Sequence, residues 1–438
     1  PPMTVTVDTV LESAGTGRYQ RALLGIFGLV WAADAMQVLA VGFSAASIAA
    51  SFGLTVPVAL QTGTLFFLGM MVGAALFGRL ADRIGRRRVL IFTVAVDALF
   101  GFASVFAPSF EVLLALRFVT GAAVGGTLPV DYAMMAEFLP PRNRGRWLVM
   151  LEGFWAIGTV VVALVAWAAS AYGYAEAWRA IFMATAVPAL IGVGLRVFVP
   201  ESPMYLIKTG RVAEARTVLS RLLEINGRPP LDRDADIALP QHGETTGLFS
   251  PSLKRRTLLM LAVWFLVSLS YYGVFTWMPP RLAGEGFGFV RGYGFLLALA
   301  LAQLPGYALA AWGVETGGRT PTLIAFLLLS AAGCGLFALA SSAILIGTAL
   351  MVMSFALLGS WGALYAYTPE LYPTASRATG MGAAGAMARL GGLLAPTLIA
   401  YLVTQSFALA VGLFALLLLL AAVAASRIDA ETRAQALD

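Results

Sequence analysis

Twelve long apolar stretches, each near the length a helix needs to cross a bilayer, constrain this chain more than any other feature. A hydrocarbon layer about 30 Å thick is spanned by roughly 20 helical residues. Inside it the backbone has no water to bond, so each stretch must satisfy its own amides and carbonyls as a helix. The stretches predict spans at 22–49, 57–79, 89–107, 110–138, 146–171 and 178–199. Six more follow at 257–278, 292–313, 321–340, 343–367, 379–403 and 406–426. The expected fold is all-α, with twelve transmembrane helices in two six-helix bundles (22–199 and 257–426) and tails at 1–21 and 427–438. The first span carries Asp34 and Gln37 and lacks a cleavage site, so it is read as a permanent helix, not a signal peptide.

The loop 200–256 joins the bundles. Within it Val212, Ala215, Val218, Leu219, Leu222 and Leu223 recur at helical spacing, with Gly227 as a stop, which predicts a short amphipathic helix over 211–225. The Pro, Gly and Asp content from Arg228 to Pro251 predicts a flexible linker.

Only 12% of residues are charged, against about 25% in a soluble domain. The net charge of +6 reports orientation rather than a nucleic-acid partner. Of 29 Lys and Arg, Arg117 and Arg389 lie inside spans and Arg179, Arg281 and Arg291 on one side; the remaining 24 fall on the other. That asymmetry predicts cytoplasmic termini in the cell (inner) membrane, with the basic groups facing the lipid bilayer surface. The lone Cys334 excludes an internal disulfide. The lone His242, in a polar loop, leaves no multi-histidine metal site.

Two charged motifs occur twice, both at an offset of 233 residues. Asp82, Gly85 and Arg86 repeat as Glu315, Gly318 and Arg319; Glu137, Pro140 and Arg144 repeat as Glu370, Pro373 and Arg377. Trp31 with Trp264, Gly126 with Gly359 and Tyr132 with Tyr365 share the register. Tandem halves in an apolar chain predict two like-facing bundles around a central pathway. The glycine-rich segments 121–126 and 380–392 lie in apolar helices without a nucleotide-loop lysine, so they predict close helix crossings.

The segment Gly78-Arg-Leu-Ala-Asp-Arg-Ile-Gly-Arg-Arg-Arg88 resembles the signature loop of the major facilitator superfamily, and Pro200-Glu-Ser-Pro-Met-Tyr-Leu206 is similar to the motif of its sugar-porter and organic-ion branches. Together with Ala33–Val38, Leu151–Gly158, Tyr271–Trp277 and Tyr367–Thr374, these stretches resemble the metabolite–proton symporter branch. That branch includes bacterial niacin transporters and is related to the synaptic vesicle glycoproteins. Span seven lacks the paired glutamines and following asparagine of sugar porters, and span five lacks the Gly-Pro kink of drug antiporters. The resemblance implies alternating access driven by an ion gradient, with no cofactor. It also implies a small-molecule substrate and protons as partners.

Charges inside the bilayer are unfavourable by roughly 2.5–3.5 kcal/mol each, so they must face a cavity or a partner. Asp34 lies about 18 Å from the inner edge and Arg117 about 10 Å from the outer. An Asp34–Arg117 pair is therefore expected, resembling the aspartate–arginine coupling pair of proton-driven sugar porters. Two readings stand: a proton-coupling switch at Asp34, or a static ion pair. Asp131 and Glu152 are expected in the inner half, either relaying protons or bonding helix to helix; Asp97 is read as structural. Arg389, roughly 16 Å deep in span eleven, is a candidate clamp for a substrate carboxylate. Gln37, Tyr271, Tyr272, Gln303, Trp361 and Tyr365 are candidate ring-stacking and orienting groups. Asp82, Arg83, Arg86, Glu137, Arg144, Glu315, Arg319, Glu370 and Arg377 are candidate gate groups, made and broken as the halves rock. The expected function is proton-coupled import of a small planar carboxylate such as nicotinate. A sugar or other organic acid, and a transport-inactive receptor, are the alternatives. With no nucleophile–base set, an enzyme is not expected.

Overall fold

The computed structural model describes residues 4–239, 247–277, 286, 288, 292–403 and 405–437. His242, Arg281 and Arg291 lie outside the described residues. Among the described residues, twelve long helices build the two bundles. The first bundle holds α1 (Arg18–Phe52), α2 (Gln61–Ile84), α3 (Arg86–Ser104), α4 (Phe110–Glu137), α5 (Arg144–Ala171) and α6 (Ala177–Arg196). The second holds α7 (Lys254–Tyr272), α8 (Tyr293–Thr316), α9 (Arg319–Leu339), α10 (Ala343–Tyr367), α11 (Arg377–Val403) and α12 (Phe407–Ser426). Among the described residues, ten of these helices are long and apolar enough to cross a membrane on length and composition alone. The other two are α3, which opens on Arg86, Arg87 and Arg88 and carries Asp97, and α11, which opens on Arg377 and carries Arg389.

The bundles meet where α2 packs on α11 and α5 packs on α8. Close approach depends on residues without side chains. A Cβ on Gly382 would stand 2.2 Å from the Ala74 carbonyl, across the bundle interface. Within the first bundle, a Cβ on Gly73 of α2 would stand 1.8 Å from the Ala122 carbonyl of α4. Backbones at such crossings gain dispersion contact that lipid cannot match.

One face gathers the tails, the inter-bundle loop and most of the arginines; we call it the basic face. Its N-terminal segment is more ordered than a simple tail. Strand β1 (Thr4–Thr6) pairs in parallel with β2 (Asp236–Ala238), Val5 opposite Ile237. A short helix, Val7–Ala14, follows, its Thr6 cap accepting from the Thr9 amide at 3.2 Å. Val7, Val10, Leu11 and Ala14 sink into the main core, as does Ile237. The stretch expected as flexible linker thus holds a strand, because an apolar residue inside it finds a buried site. The predicted amphipathic helix runs Val212–Ile225 and buries Ala215, Leu219, Leu222 and Leu223.

Gly73→Leu should force α2 from α4, since overpacking costs about 1–3 kcal/mol or more where backbone stands opposite. We expect loss of the monodisperse peak on size exclusion and a lowered melting temperature. Gly42→Ala, with nothing within 4 Å of its Cβ, should match the parent.

Candidate functional site

The repeated charged motifs meet on the basic face and join the bundles. Asp82, at the end of α2, accepts from the Ala378 and Thr379 amides at 3.2 and 2.7 Å and from the Thr379 hydroxyl at 2.6 Å. These are the first-turn amides of α11, where the helix dipole favours a carboxylate. Glu315, at the end of α8, does the same to α5, accepting from the Arg146 amide at 2.7 Å. Thr379 follows Arg146 by 233 residues, so the two caps are one contact made twice.

Between the caps lie ion pairs that are almost wholly buried. Arg86 bonds Glu137 through Nε at 3.2 Å and Nη2 at 2.8 Å. Its counterpart Arg319 bonds Glu370 at 2.9 Å and lies 3.8 Å from Glu315. Arg377 crosses the interface to Glu137 at 2.9 Å, and Arg86 crosses it to the Thr374 carbonyl at 2.8 Å. The repeat breaks at Arg144, which turns to Asp8 at 2.8 Å and to the Gln435 carbonyl at 3.0 Å. Burial pushes the Asp8 carboxyl above its usual range while Arg144 opposes the rise. Arg83 is exposed, and its carbonyl accepts from the Tyr205 hydroxyl at 3.1 Å. Two further carboxylates cap helices here. Glu201 accepts from the Arg86 and Arg87 amides, both at 3.2 Å. Glu431 in the C-terminal tail accepts from the Arg319 and Thr320 amides at 3.0 and 3.3 Å.

Deeper, a cavity of ≈ 20 Å³ lies between the bundles, room for about one water. Glu152 and Trp155 of α5 line it from one side; Tyr271, Tyr272, Leu358, Trp361, Tyr365, Ala388 and Arg389 line it from the other. The Arg389 guanidinium donates to the Tyr272 hydroxyl. Glu152 is held by three donors: Trp31 Nε1 and the Tyr132 hydroxyl at 2.9 Å on one oxygen, and the Tyr307 hydroxyl at 3.2 Å on the other. Tyr307 belongs to α8, so that last bond bridges the bundles. Stacked rings surround the pair, with Tyr132 and Tyr365 centroids 4.5 Å apart and Trp264 5.0 Å from Tyr365. The cavity thus pairs one acid with one base inside aromatic walls.

A second polar cluster sits within the first bundle, and it corrects the expected Asp34–Arg117 pair. Arg117 donates instead to the Gln37 side-chain oxygen at 3.0 Å and stacks between Phe66 and Phe182, each ring centroid 4.6 Å away. The Gln37 amide in turn donates to Asp97. Asp97 and Asp34 stand carboxyl to carboxyl, within hydrogen-bonding reach. An amide one turn along α1 from Asp34 reaches Arg117 and so separates the expected partners. Gln37, read as a substrate group, is fully buried in this cluster and does not line the cavity. Asp131 is bound bidentately by Arg196 at 2.6 and 2.8 Å. That leaves it a satisfied ion pair rather than an open relay. Glu152 lies with the cavity groups rather than on an inward path. Gln303 is buried on α8 away from the cavity lining.

Comparison with known proteins decides the family. Residues 33–435 match the model for "Sugar (and other) transporter". The niacin transporter NiaP of Acinetobacter baylyi is 35% identical over 98% of this chain and 98% of its own. The chain belongs to the sugar (and other) transporter family. A synaptic vesicle 2-related protein of Xenopus laevis is 32% identical over 99% of this chain and 82% of its own. Among solved structures, the proton:xylose symporter XylE of the major facilitator superfamily aligns with a TM-score of 0.76 at 19% identity. That match covers 96% of this chain and 98% of XylE. The protein is therefore a multi-pass membrane transporter of a small molecule, with the major facilitator fold, and not an enzyme.

Sequence reasoning missed Tyr307, Trp155, Arg196 and the ligating role of Trp31. The doubled Trp31/Trp264 and Tyr132/Tyr365 register held a usable signal, since these four rings pack on one another where the bundles meet, beside the cavity.

In this transporter Glu137 accepts from Arg86, Arg377 and Ser202 together. Breaking a buried pair by removing one partner costs about 3–5 kcal/mol. Glu137→Gln should therefore lower the melting temperature and loosen the closed basic face. With Cys334 replaced by Ser, a cysteine at Leu128, beside Gly385 of α11, should alkylate at least several-fold faster. An unchanged rate would show that Glu137 does not hold the basic face closed.

Proposed function

We propose that this transporter imports a small planar carboxylate, such as nicotinate, by proton-coupled alternating access. Its basic face is turned to the cytoplasm, in the inner membrane. The observation that carries the reading is the aromatic-walled cavity between the bundles with Arg389 in its lining. A guanidinium presents a planar fork matched to a carboxylate, and the surrounding rings offer flat faces to a flat ligand. The relative named as a niacin transporter supports the same solute class. Orientation rests on the excess of Lys and Arg on the basic face.

With the caps at Asp82 and Glu315 made, the basic face is shut and the cavity holds little more than a water. Admission of a ligand then requires the bundles to part on the opposite side. Return requires the caps to break and the Tyr307–Glu152 bond to yield. We assign the proton-coupling step to Asp34, a carboxyl placed deep in the membrane. XylE, a proton:xylose symporter, lends support through the shared fold. A sugar is the second reading, favoured by the description of the family.

A thermal-shift panel separates these. Nicotinate should stabilise the protein more than nicotinamide or a hexose, and Arg389→Ala should erase the difference between the first two. Equal stabilisation by acid and amide would sink the carboxylate clamp. Stabilisation by hexoses alone would favour the second reading. In proteoliposomes, Asp34→Asn should lose pH-gradient-driven accumulation while still equilibrating solute; retained accumulation would remove Asp34 from the coupling step.

A further inference from the structure

Among the described residues, seven Asp, Glu and Arg side chains lie in the membrane interior away from the basic face, and their hydrogen bonds are unequally shared. Glu152 has three donors and faces Arg389 across the cavity. Asp131 has both oxygens on Arg196. Each acid there has its own cation or donor set. The third group is different. Asp34 and Asp97, from α1 and α3, are fully buried and adjacent. Of their four carboxyl oxygens, both on Asp34 and one on Asp97 receive no donor among the described residues. The fourth takes the Gln37 amide.

The charges that face this pair come from three other helices. They are Arg117 and Asp131 from α4, Arg196 from α6, and Arg389 from α11 across the interface. Arg196 is engaged by Asp131, and Arg389 faces Glu152 in the cavity. Arg117 is left opposite two carboxyls, reaching them through Gln37. Two adjacent carboxylates cannot both stay ionised in a medium of low dielectric constant. One bound proton removes the excess charge and turns an orphaned oxygen into a donor.

We propose that Asp34 and Asp97 form a single proton site whose two carboxyls share one proton in this closed-face state. Asp97 and Gln37 tie that proton to Arg117. The inference rests on the symport reading above and adds its second acid, a residue that sequence reasoning set aside as structural. Loading forms one O–H bond on the pair. Release returns the proton to water on whichever side has opened, and no other covalent bond changes. With the proton gone, the two carboxylates repel, and Arg117 is drawn toward them.

The test uses the full chain in proteoliposomes. Infrared spectra should contain the carbonyl band of a buried protonated carboxyl, shifting in deuterated water. It should vanish in both Asp34→Asn and Asp97→Asn and survive in Glu152→Gln. A one-proton symporter sustains about tenfold accumulation per unit of imposed pH gradient; Asp97→Asn should fall to about onefold, with exchange retained. Asp97→Glu keeps the acid, so it should restore accumulation and move the band. If Asp97→Asn does not fold, the moved band in Asp97→Glu still decides. A band that persists in Asp97→Asn, disappears only in Glu152→Gln, or stays unmoved in Asp97→Glu would overturn the shared proton. So would full accumulation in Asp97→Asn. Absence of gradient-driven uptake in the parent would instead fail the symport reading and leave the band to judge the pair.

Discussion

An ionised side chain in hydrocarbon must find its solvation within the protein, and this requirement organises the molecule. The buried guanidiniums draw most of what water would otherwise supply from carboxylates, carbonyls, an amide and ring faces. Arg86 has Glu137 and two carbonyls, Arg196 has both oxygens of Asp131 and the face of Phe27, and Arg117 has Gln37 between two phenylalanines. The helices are held in register by these polar joints as much as by apolar packing. Removing one partner is costlier than never having had the pair, which explains how a chain so poor in charge keeps its charges in sets.

The ties across the basic face follow from the same requirement applied at helix ends. A helix start leaves amides without intrahelical partners. At α11 and α5 these are met by a carboxylate from the opposite bundle. Closing the basic face therefore satisfies four kinds of group at once: amides, dipole ends, carboxylates and arginines. Opening it must hand them all to water together. That favours two discrete arrangements over a continuum.

Much of this was legible in the sequence. Span length gave the helices, and the offset of 233 gave the paired charged motifs, whose partners turned out to be backbone amides as well as arginines. The glycine clusters foretold close crossings, and the one at 121–126 is met by α2. What could not be read was which buried charge meets which. Depth along a helix constrains one coordinate, but rotation about its axis decides the neighbour. Asp34 and Arg117 share a depth, yet Gln37 stands between them. The same limit hid Asp97, one acid among several at similar depth, and Tyr307, an aromatic on a helix already rich in apolar residues.

The two bundles close their third helices with different pieces of chain. Glu201, in the connecting loop, caps α3; Glu431, in the C-terminal tail, caps α9. The first of these carboxylates is anchored at both sides by folded protein, whereas the second hangs on the terminal segment that also lends Gln435 to Arg144. Strain on that segment would reach the start of α9 through Glu431 and the start of α5 through Gln435 at the same moment.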